Sequence, residues 1–536
     1  MAWWSWGKGA GASRRKGGTV ESTSVPSTAG GAAGTPQGGD ESAKGLSSGA
    51  LGLFASIVIG VASVAPAYSL AATVGILAGI AGIGMGSPFI FLAGFVPMIL
   101  VASGFFYMNR ADPDCGETFI WTSRAFGAPL GWIIGFAAVA SSVIVMANLV
   151  QIAAQYMFLM VGMNSAAAST FWNTVGGVAW ILIVTVFVAI GINVSARAQY
   201  VLMALQMIPL ILFTAWAIIK GYATHPAGFA PIRLSWFFTT HVSGSALAAG
   251  VVLAVFLYWG WDTVLAVNEE SEDSRTMPGV SAVLNTLILV VMYVLITAAM
   301  QCYHGPGFLA KNPGDVFSPI AHDVMGSTWD RLVFLCIFTS GAASALTTLL
   351  PLTRQTLSMA AHKSLPKVFG RIHPKYMTPF WGTIILSAVS IVYYVLLTWW
   401  NVNALYDAIS AIGIMVCIAY GGTGLACTVY YRKELLKSAK NFFLMGVAPT
   451  AGAIIFALIL IKVLWDDYPY DGGNGNSYTG IHGIGGVFLM GVGTMVVGVI
   501  LMAIMWIVRP EFFKRGPETW PGEGQPIPYA EERVAE

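Results

Sequence analysis

Segments of about twenty apolar residues follow one another along most of this chain, beginning near Leu51. A helix of that length crosses the ~30 Å hydrocarbon core of a bilayer. Only 10 % of the 536 residues are charged and 56 % are hydrophobic, whereas soluble domains carry about 25 % charged residues. The pattern therefore predicts an all-α polytopic membrane protein. It argues against a soluble enzyme, a fibrous protein and a nucleic-acid binder.

Twelve membrane-spanning helices are predicted from these segments. They cover approximately residues 50–80, 88–107, 129–161, 171–192, 200–219, 245–267, 280–300, 331–353, 380–398, 406–430, 442–464 and 485–508. The corresponding regions are a disordered cytoplasmic N-terminal tail (1–46), a core of ten helices (47–431), helices 11 and 12 (432–508) and a cytoplasmic C-terminal tail (509–536). The first tail is rich in Gly, Ser, Thr and Ala, a composition that cannot bury a core.

Basic residues concentrate in the connections on one side of the predicted bundle, for example Lys363, Lys367, Arg371 and Lys375. Cytoplasmic loops carry an excess of Lys and Arg, so both termini are expected inside the cell. The Ala- and Gly-rich composition favours the plasma membrane of a bacterium. Helices 11 and 12 are candidates for a homodimer contact.

Two of the predicted helices contain residues that disrupt a helix. Pro66 lies within Gly60–Ser69, and Gly260 and Asp262 follow Tyr258 in the sixth span. Irregular backbone at membrane depth is tolerated only where it lines a cavity or is buried in protein. Spans 1 and 6 are five helices apart, as in two inverted five-helix repeats, and such paired breaks indicate a transporter's binding site.

Four stretches carry a resemblance to a known family. They are Asp112–Trp121 with Ala125-Phe126-Gly127 and Gly131-Trp132, Ile192-Asn193-Val194 with Gln199, Phe256–Asp262 with Glu269-Glu270, and Thr353-Arg354 with Leu365-Pro366 and Thr378-Pro379. In order and spacing they resemble the amino acid–polyamine–organocation (APC) superfamily, and within it the amino acid permeases. The resemblance implies a LeuT-like fold: a 5+5 inverted repeat plus two extra helices, with helices 1 and 6 broken. It also implies secondary active transport of amino acids by alternating access.

A substrate site follows from this resemblance together with the chemistry of a broken helix. Exposed amides at a half-helix N-terminus bind anions and exposed carbonyls bind cations, which matches both groups of an α-amino acid. The predicted residues are Ala62, Ser63, Val64, Ala65, Pro66, Ala67, Tyr68 and Ser69 in helix 1, Phe256, Tyr258, Trp259, Gly260, Trp261 and Asp262 in helix 6, and Asn148 and Gln151 in helix 3. The aromatic residues are expected to close over the substrate.

Asp262 is the most informative of these residues, because an acid at membrane depth is a functional candidate by default. Three roles are open: an ion pair with a cationic substrate, a proton carrier, or the N-cap of the second half of helix 6. Glu117, Glu269, Glu270 and Arg354 are predicted to form an inner gate.

The coupling ion stays open between a proton and sodium, with uncoupled exchange a further alternative. Gln206 stands where many proton-coupled relatives carry a lysine, and Glu117 stands where the family often has Gly or Ser. Ser340, Ser344 and Gln206 are the candidate ligands of a coupling ion.

Two other functions remain open: a polyamine (putrescine-type) transporter of the same fold, and a transporter-like receptor without net transport. No catalytic residue set, no metal site and no cofactor is predicted. The histidines are scattered and the five cysteines lack metal-ligand spacing.

Overall fold

The computed structural model describes residues 44–238, 242–313, 315–470, 477–522 and 525, without the side chains of residues 192–195. These residues form twelve helices that are long and apolar enough to cross a membrane, which confirms the predicted class and number of spans. The helices are α1 (Leu53–Gly79), α2 (Ser87–Ala111), α3 (Ala128–Met160), α4 (Thr170–Ile190), α5 (Ile192–Thr224), α6 (Gly244–Tyr258), α7 (Met277–Ala310), α8 (Phe317–Ala361), α9 (Phe380–Trp400), α10 (Ala404–Tyr430), α11 (Ala448–Asp466) and α12 (Gly486–Val508).

Short elements connect these helices. A helix over Thr118–Phe126 precedes α3, and a two-stranded hairpin, β1 (Gly480–Ile481) and β2 (Ile484–Gly485), precedes α12. Residues 1–43 of the predicted N-terminal tail and residues 526–536 of the predicted C-terminal tail lie outside the described residues.

Several helices are longer than the apolar segments that predicted them. α8 begins at Phe317 rather than near residue 331, and it changes direction at Gly326, where φ is 77°. α7 continues to Ala310 beyond a similar bend at Gly305. These extensions carry polar residues, so a count of apolar residues stops before the helix does.

α1 is broken at the predicted place. Its two segments, Leu53–Val64 and Pro66–Gly79, are separated by Ala65 in the left-handed conformation with φ 50° and ψ 64°. Proline disfavours a right-handed helical conformation in the residue before it, and its own missing N–H is tolerated at the start of a helix. Pro66 therefore ends one half of α1 and starts the other.

α6 is broken as well. The helix ends at Tyr258, Gly260 has a φ of 106°, and the chain continues as a short 3₁₀ helix over Trp261–Leu265. Only glycine adopts this backbone conformation without strain.

The two breaks lie against each other at the centre of the bundle. A Cβ atom on Gly260 would lie 3.1 Å from Ser63 Oγ and 3.3 Å from the Ser63 carbonyl carbon. α1 packs on α7 and α8, and α8 packs on α3 and α5. By contrast, only 17 % of the most apolar window of α12 is buried, so this helix is left to face lipid or a partner.

The chain segments that flank the bundle meet at one end, the proximal end, where α1 begins and α12 ends. Lys44 and Leu46, inside the segment predicted as a tail, are buried there. Leu51 forms backbone hydrogen bonds with Glu270 and Glu272. After α12, Glu518 N donates to the Arg124 carbonyl. The opposite end is called the distal end below.

We expect Ala65→Gly to raise the melting temperature of the detergent-solubilised protein, because glycine removes the left-handed strain of up to about 1 kcal/mol at this position. Ala67→Gly is the matched control, since Ala67 is equally buried but helical. There glycine is expected to cost about 1 kcal/mol. Equal destabilisation by both variants would contradict the left-handed break.

Candidate functional site

A small buried cavity lies beside the two helix breaks. Its volume is about 30 Å³, room for one or two water molecules. It is lined by residues of α1, α3, α8 and α10, of the turn and short helix before α3, and of the irregular segment after α6: Ser63, Glu117, Thr118, Ala138, Ser142, Trp259, Gly260, Asp262, Thr263, Thr348, Pro351, Gln355, Ala419 and Tyr420. The structure is therefore closed around this cavity.

The polar groups released by the α1 break are bound by neighbouring side chains. Ser344 Oγ donates to the Ser63 carbonyl at 2.6 Å, and the Ser63 and Thr263 hydroxyls are 2.6 Å apart. Ser69 Oγ donates to the Val64 carbonyl at 2.7 Å. The Tyr68 amide donates to Ser340 Oγ at 3.3 Å. The predicted carboxylate-binding amides of α1 are thus partly occupied by α8.

Asp262 faces the cavity from the irregular part of α6. The Tyr420 hydroxyl donates to Asp262 Oδ1 at 2.5 Å and accepts from the Gly260 amide at 3.3 Å. The 3₁₀ helix begins after Gly260, so Asp262 lies in its first turn rather than at its N-cap. A carboxylate held in this way is free to act on a cation or a proton in the cavity.

Glu117 is the second carboxylate of the cavity. Only 1 % of the Glu117 surface is exposed to solvent, and its Oε1 atom has no hydrogen-bond partner among the described residues. Its backbone has a φ of 42° and a ψ of −120°, a conformation that is strained for any residue except glycine. Burial, together with the charge of Asp262, raises the pKa of Glu117 well above its usual range, although Gln355 opposes the shift.

The predicted aromatic gate divides into two groups. Trp259 lines the cavity, and Trp261 packs on Phe105 with ring centroids 5.1 Å apart. Tyr258 instead donates to the Phe91 carbonyl at 3.0 Å and lies against Tyr293. The Tyr258 side chain therefore points away from the cavity. The Phe256 carbonyl accepts a hydrogen bond from the Trp259 amide.

The remaining predicted ligands lie outside the cavity lining. Gln151 accepts a hydrogen bond from Tyr394 of α9, and Asn148 is buried with its Nδ2 atom unpartnered. The Gln206 side-chain amide donates to the sulfur of Met203, and the Gln206 backbone carbonyl accepts from the Cys336 thiol. Their roles in binding substrate or ion stay predictions.

Several polar residues near the breaks are not predicted from the sequence. Tyr420, Gln355, Thr348 and Ser142 are polar residues of α3, α8 and α10 that lie away from any helix break, so no local signal distinguishes them. Gln199 belongs to one of the family-like motifs, and its side-chain amide donates to the Ala343 carbonyl, one residue before Ser344.

An ion pair closes the proximal side beneath the cavity. Arg354 of α8 contacts both carboxylate oxygens of Glu270, with Nε–Oε2 3.1 Å and Nη2–Oε1 3.3 Å, and both side chains are fully buried. Two parallel hydrogen bonds of this kind fix the geometry of an arginine–carboxylate pair. The pair joins the connection after α6 to α8.

Lys44 makes a second buried contact at the same end. Its Nζ atom lies 2.5 Å from Glu269 Oε1 and 2.9 Å from Asp114 Oδ2. Burial works against its charge, but Asp114, Cys115 and Glu269 raise the pKa of Lys44 well above its ordinary value. The donor atoms of Asp114, Cys115 and Glu269 lie within 4.8 Å of one another, and the Lys44 ammonium supplies the positive charge that a metal ion would bring there.

Asp114 links this cluster to α8. Ser358 Oγ donates to Asp114 Oδ1 at 2.5 Å, and His362 Nε2 lies 3.1 Å from Oδ2. Burial opposes ionisation of Asp114, yet Lys44, His362 and Ser358 together hold its pKa well below its usual range. Three of the four predicted inner-gate residues, Glu269, Glu270 and Arg354, thus belong to this proximal charge network, whereas Glu117 faces the cavity.

The distal side carries a much larger cavity of about 490 Å³. It lies between the ends of α1, α6, α10 and α11, with Gly79, Leu253, Tyr406 and Lys462 among its walls. The bundle is therefore more open at the distal end than at the proximal end.

Comparison with known proteins agrees with this architecture. The profile of the family described as amino acid permease matches residues 51–489. The chain belongs to the amino acid permease family. Its relatives are permeases of the APC superfamily. Together with the twelve apolar helices, this assignment indicates a multi-pass membrane protein.

Individual relatives are distant. An uncharacterized transporter of Mycobacterium tuberculosis is 25 % identical over 42 % of this chain and 52 % of its own length, so the chain spans about half of the first curated relatives it matches. The arginine/ornithine antiporter ArcD2 of Lactococcus lactis is 25 % identical over 62 % of this chain and 70 % of its own length. The low-affinity putrescine importer PlaP of Escherichia coli is 20 % identical over 76 % of this chain and 87 % of its own length.

We predict that Arg354→Gln lowers the free energy of unfolding by about 3–5 kcal/mol, because Glu270 is left as an unpaired buried charge. Adding Glu270→Gln should restore most of this loss, since the double variant buries two neutral amides. Thermal melts of the three variants in one detergent measure the effect. A double variant no more stable than Arg354→Gln alone would show that the pair is not the cause.

Proposed function

We propose that this chain is a secondary active transporter of amino acids that works by alternating access. The observation that carries the proposal is the meeting of the α1 and α6 breaks around one buried polar cavity. Paired broken helices at the centre of such a bundle are the general location of substrate sites in transporters. Membership of the amino acid permease family supports the same substrate class.

The charge of the cavity favours amino acids with a cationic side chain. Glu117 and Asp262 both line it, and among the described lining residues there is no Lys, Arg or His. Buried carboxylates need a partner cation or a proton. The similarity to an arginine/ornithine antiporter and to a plant protein called cationic amino acid transporter 4 adds support.

Transport requires the proximal end to open. The Arg354–Glu270 pair and the Lys44 contacts join the end of α6 to α8 and to the α2–α3 connection. We infer that α1, α2, α6 and α7 rock against α3, α4, α8 and α9, and that these contacts break when the cavity opens to the proximal side. The proximal end is then the cytoplasmic one, with both termini inside a bacterial cell.

A diamine is the second candidate substrate. The cavity is lined by two carboxylates and by Trp259, but not by the amides of the second half of α1, which a substrate carboxylate would need. Similarity to a putrescine importer points the same way.

Uptake into proteoliposomes tests the function. We expect the proteoliposomes to accumulate radiolabelled L-arginine or L-lysine and to accumulate little L-leucine. Asp262→Asn should weaken binding about 30-fold or more, because the loss of one buried charge partner costs at least 2 kcal/mol. Asp273→Asn, at an exposed acid, is the matched control.

The other outcomes of this experiment are equally definite. Uptake of putrescine alone would replace the amino acid by the diamine. Ligand-dependent stabilisation in a thermal-shift assay without uptake would support the receptor instead. Unchanged affinity in Asp262→Asn would remove this residue from the site.

Opening of the proximal end can be followed with Cys115, which is buried and lies 3.8 Å from Lys44 Nζ. The experiment uses a protein in which the other four cysteines are replaced by alanine. In this background we expect Lys44→Met to speed labelling of Cys115 by N-ethylmaleimide about tenfold or more. A shift of about 1.4 kcal/mol toward the open state would produce a tenfold change. Loss of the Lys44 charge alone would raise the thiol pKa and slow the reaction. Lys462→Met, at the distal end, serves as the control. An unchanged or slower rate would contradict a gating role of Lys44.

A further inference from the structure

The carboxylates of Glu117 and Asp262 carry more negative charge than their surroundings neutralise. Glu117 is 1 % exposed, Asp262 is partly buried, and both residues line the same 30 Å³ cavity. Two carboxylates that share a water-poor site cannot both stay ionised without a cation. The protein must therefore supply a proton, or the substrate must supply a positive charge.

The charged groups on the surrounding elements are already engaged elsewhere. On α8, Arg354 is bound to Glu270, and Gln355, which faces the cavity, is neutral. On α10, the Tyr420 hydroxyl donates to Asp262. At the proximal end, Lys44 is held by Asp114 and Glu269. Within the part of the chain that the structure describes, α1 and α3 place only serine hydroxyls and apolar groups on this cavity.

The backbone at Glu117 argues that the acid is there for a purpose. Its φ of 42° and ψ of −120° favour glycine. A strained non-glycine residue persists where the surrounding structure holds it for function. The buried, unpartnered Oε1 atom of Glu117 is the acceptor that a proton or an ammonium group would satisfy.

We propose that the empty carrier holds one exchangeable proton on the Glu117–Asp262 pair, and that the cationic group of an incoming substrate displaces this proton. The proposal rests on the proposed function, because it deepens the chemistry of the same site. The carboxylic acid releases H⁺ to solvent as the substrate's ammonium or guanidinium takes its place.

The charge of the cavity stays constant in this exchange when the substrate is L-arginine or L-lysine, each of which carries a net charge of +1. One carboxylate and one carboxylic acid carry a charge of −1, and two carboxylates with a substrate of net charge +1 also sum to −1. Because proton and substrate occupy the pair alternately, they cross the membrane in opposite directions. The Gln206 position, without a lysine, is then not needed for proton coupling.

Calorimetric titration of the purified wild-type protein with L-arginine, and separately with putrescine, tests the proposal. Run in two buffers of different ionisation enthalpy at pH 6 and pH 7, it gives the number of protons released per ligand bound. We expect a release approaching one proton and a dissociation constant that falls up to about tenfold per pH unit, since the proton competes with the ligand.

Glu117→Gln should abolish both the proton release and the pH dependence of binding. Glu511→Gln, at a side chain that is 73 % exposed on the proximal end, should leave both unchanged. The wild-type titration decides the question even if Glu117→Gln fails to fold.

Binding of L-arginine or putrescine without proton release at either pH would overturn the exchange while leaving the transporter function intact. Uptake of protons on binding would overturn it as well. Binding of neither probe, together with no uptake of any cationic amino acid, would refute both the exchange and the cationic substrate of the proposed function.

Discussion

The lack of water in the hydrocarbon core is the constraint on which this structure depends. Every backbone group released by a broken helix must find a partner within the protein. At the α1 break, hydroxyls supply these partners, with Ser344 on the Ser63 carbonyl and Ser69 on the Val64 carbonyl. At the α6 break, Tyr420 serves both the Gly260 amide and Asp262. These short contacts hold two irregular segments at membrane depth and so create a polar site there.

The same constraint explains how charge is distributed along the bundle. At the proximal end, opposite charges are paired in contacts such as Arg354–Glu270 and Lys44–Asp114. In the central cavity, Glu117 and Asp262 lie among described lining residues of which none is cationic. Paired charges therefore close the proximal end, whereas the cavity above it holds two carboxylates and, among its described lining residues, no cationic side chain. This asymmetry is what an alternating-access carrier of a cation requires.

The fold could be predicted from sequence because its signals are local. Apolar runs of about twenty residues predict the spans, and Pro66 and Gly260 mark the two breaks through their backbone preferences. Contacts between distant segments leave no such local signal. Lys44 lies in a segment whose composition indicates a tail, yet one ammonium among two acids is enough to bury it. Glu117 was predicted in the gate, but its strained backbone places it beside Asp262, a consequence of the turn before the helix at Thr118.

The predicted ligands outside the cavity also show that the partner of a polar side chain depends on contacts between distant helices. Gln151 is a polar residue in an apolar helix, and its partner proves to be Tyr394 of α9. Polar side chains between membrane helices bind one another as readily as they bind a substrate. Sequence alone cannot separate the two cases, because the partner is set by the packing of whole helices.

In the proposed mechanism, the α1 and α6 breaks enclose the substrate. A cryo-electron-microscopy map of the protein with a bound cationic substrate, identified by the uptake assay, tests it most directly. We expect density in an enlarged cavity between Ser63, Glu117, Asp262 and Tyr420, with the cationic group between the two carboxylates. Density confined to the distal cavity beside Lys462, with the central cavity unchanged, would contradict it.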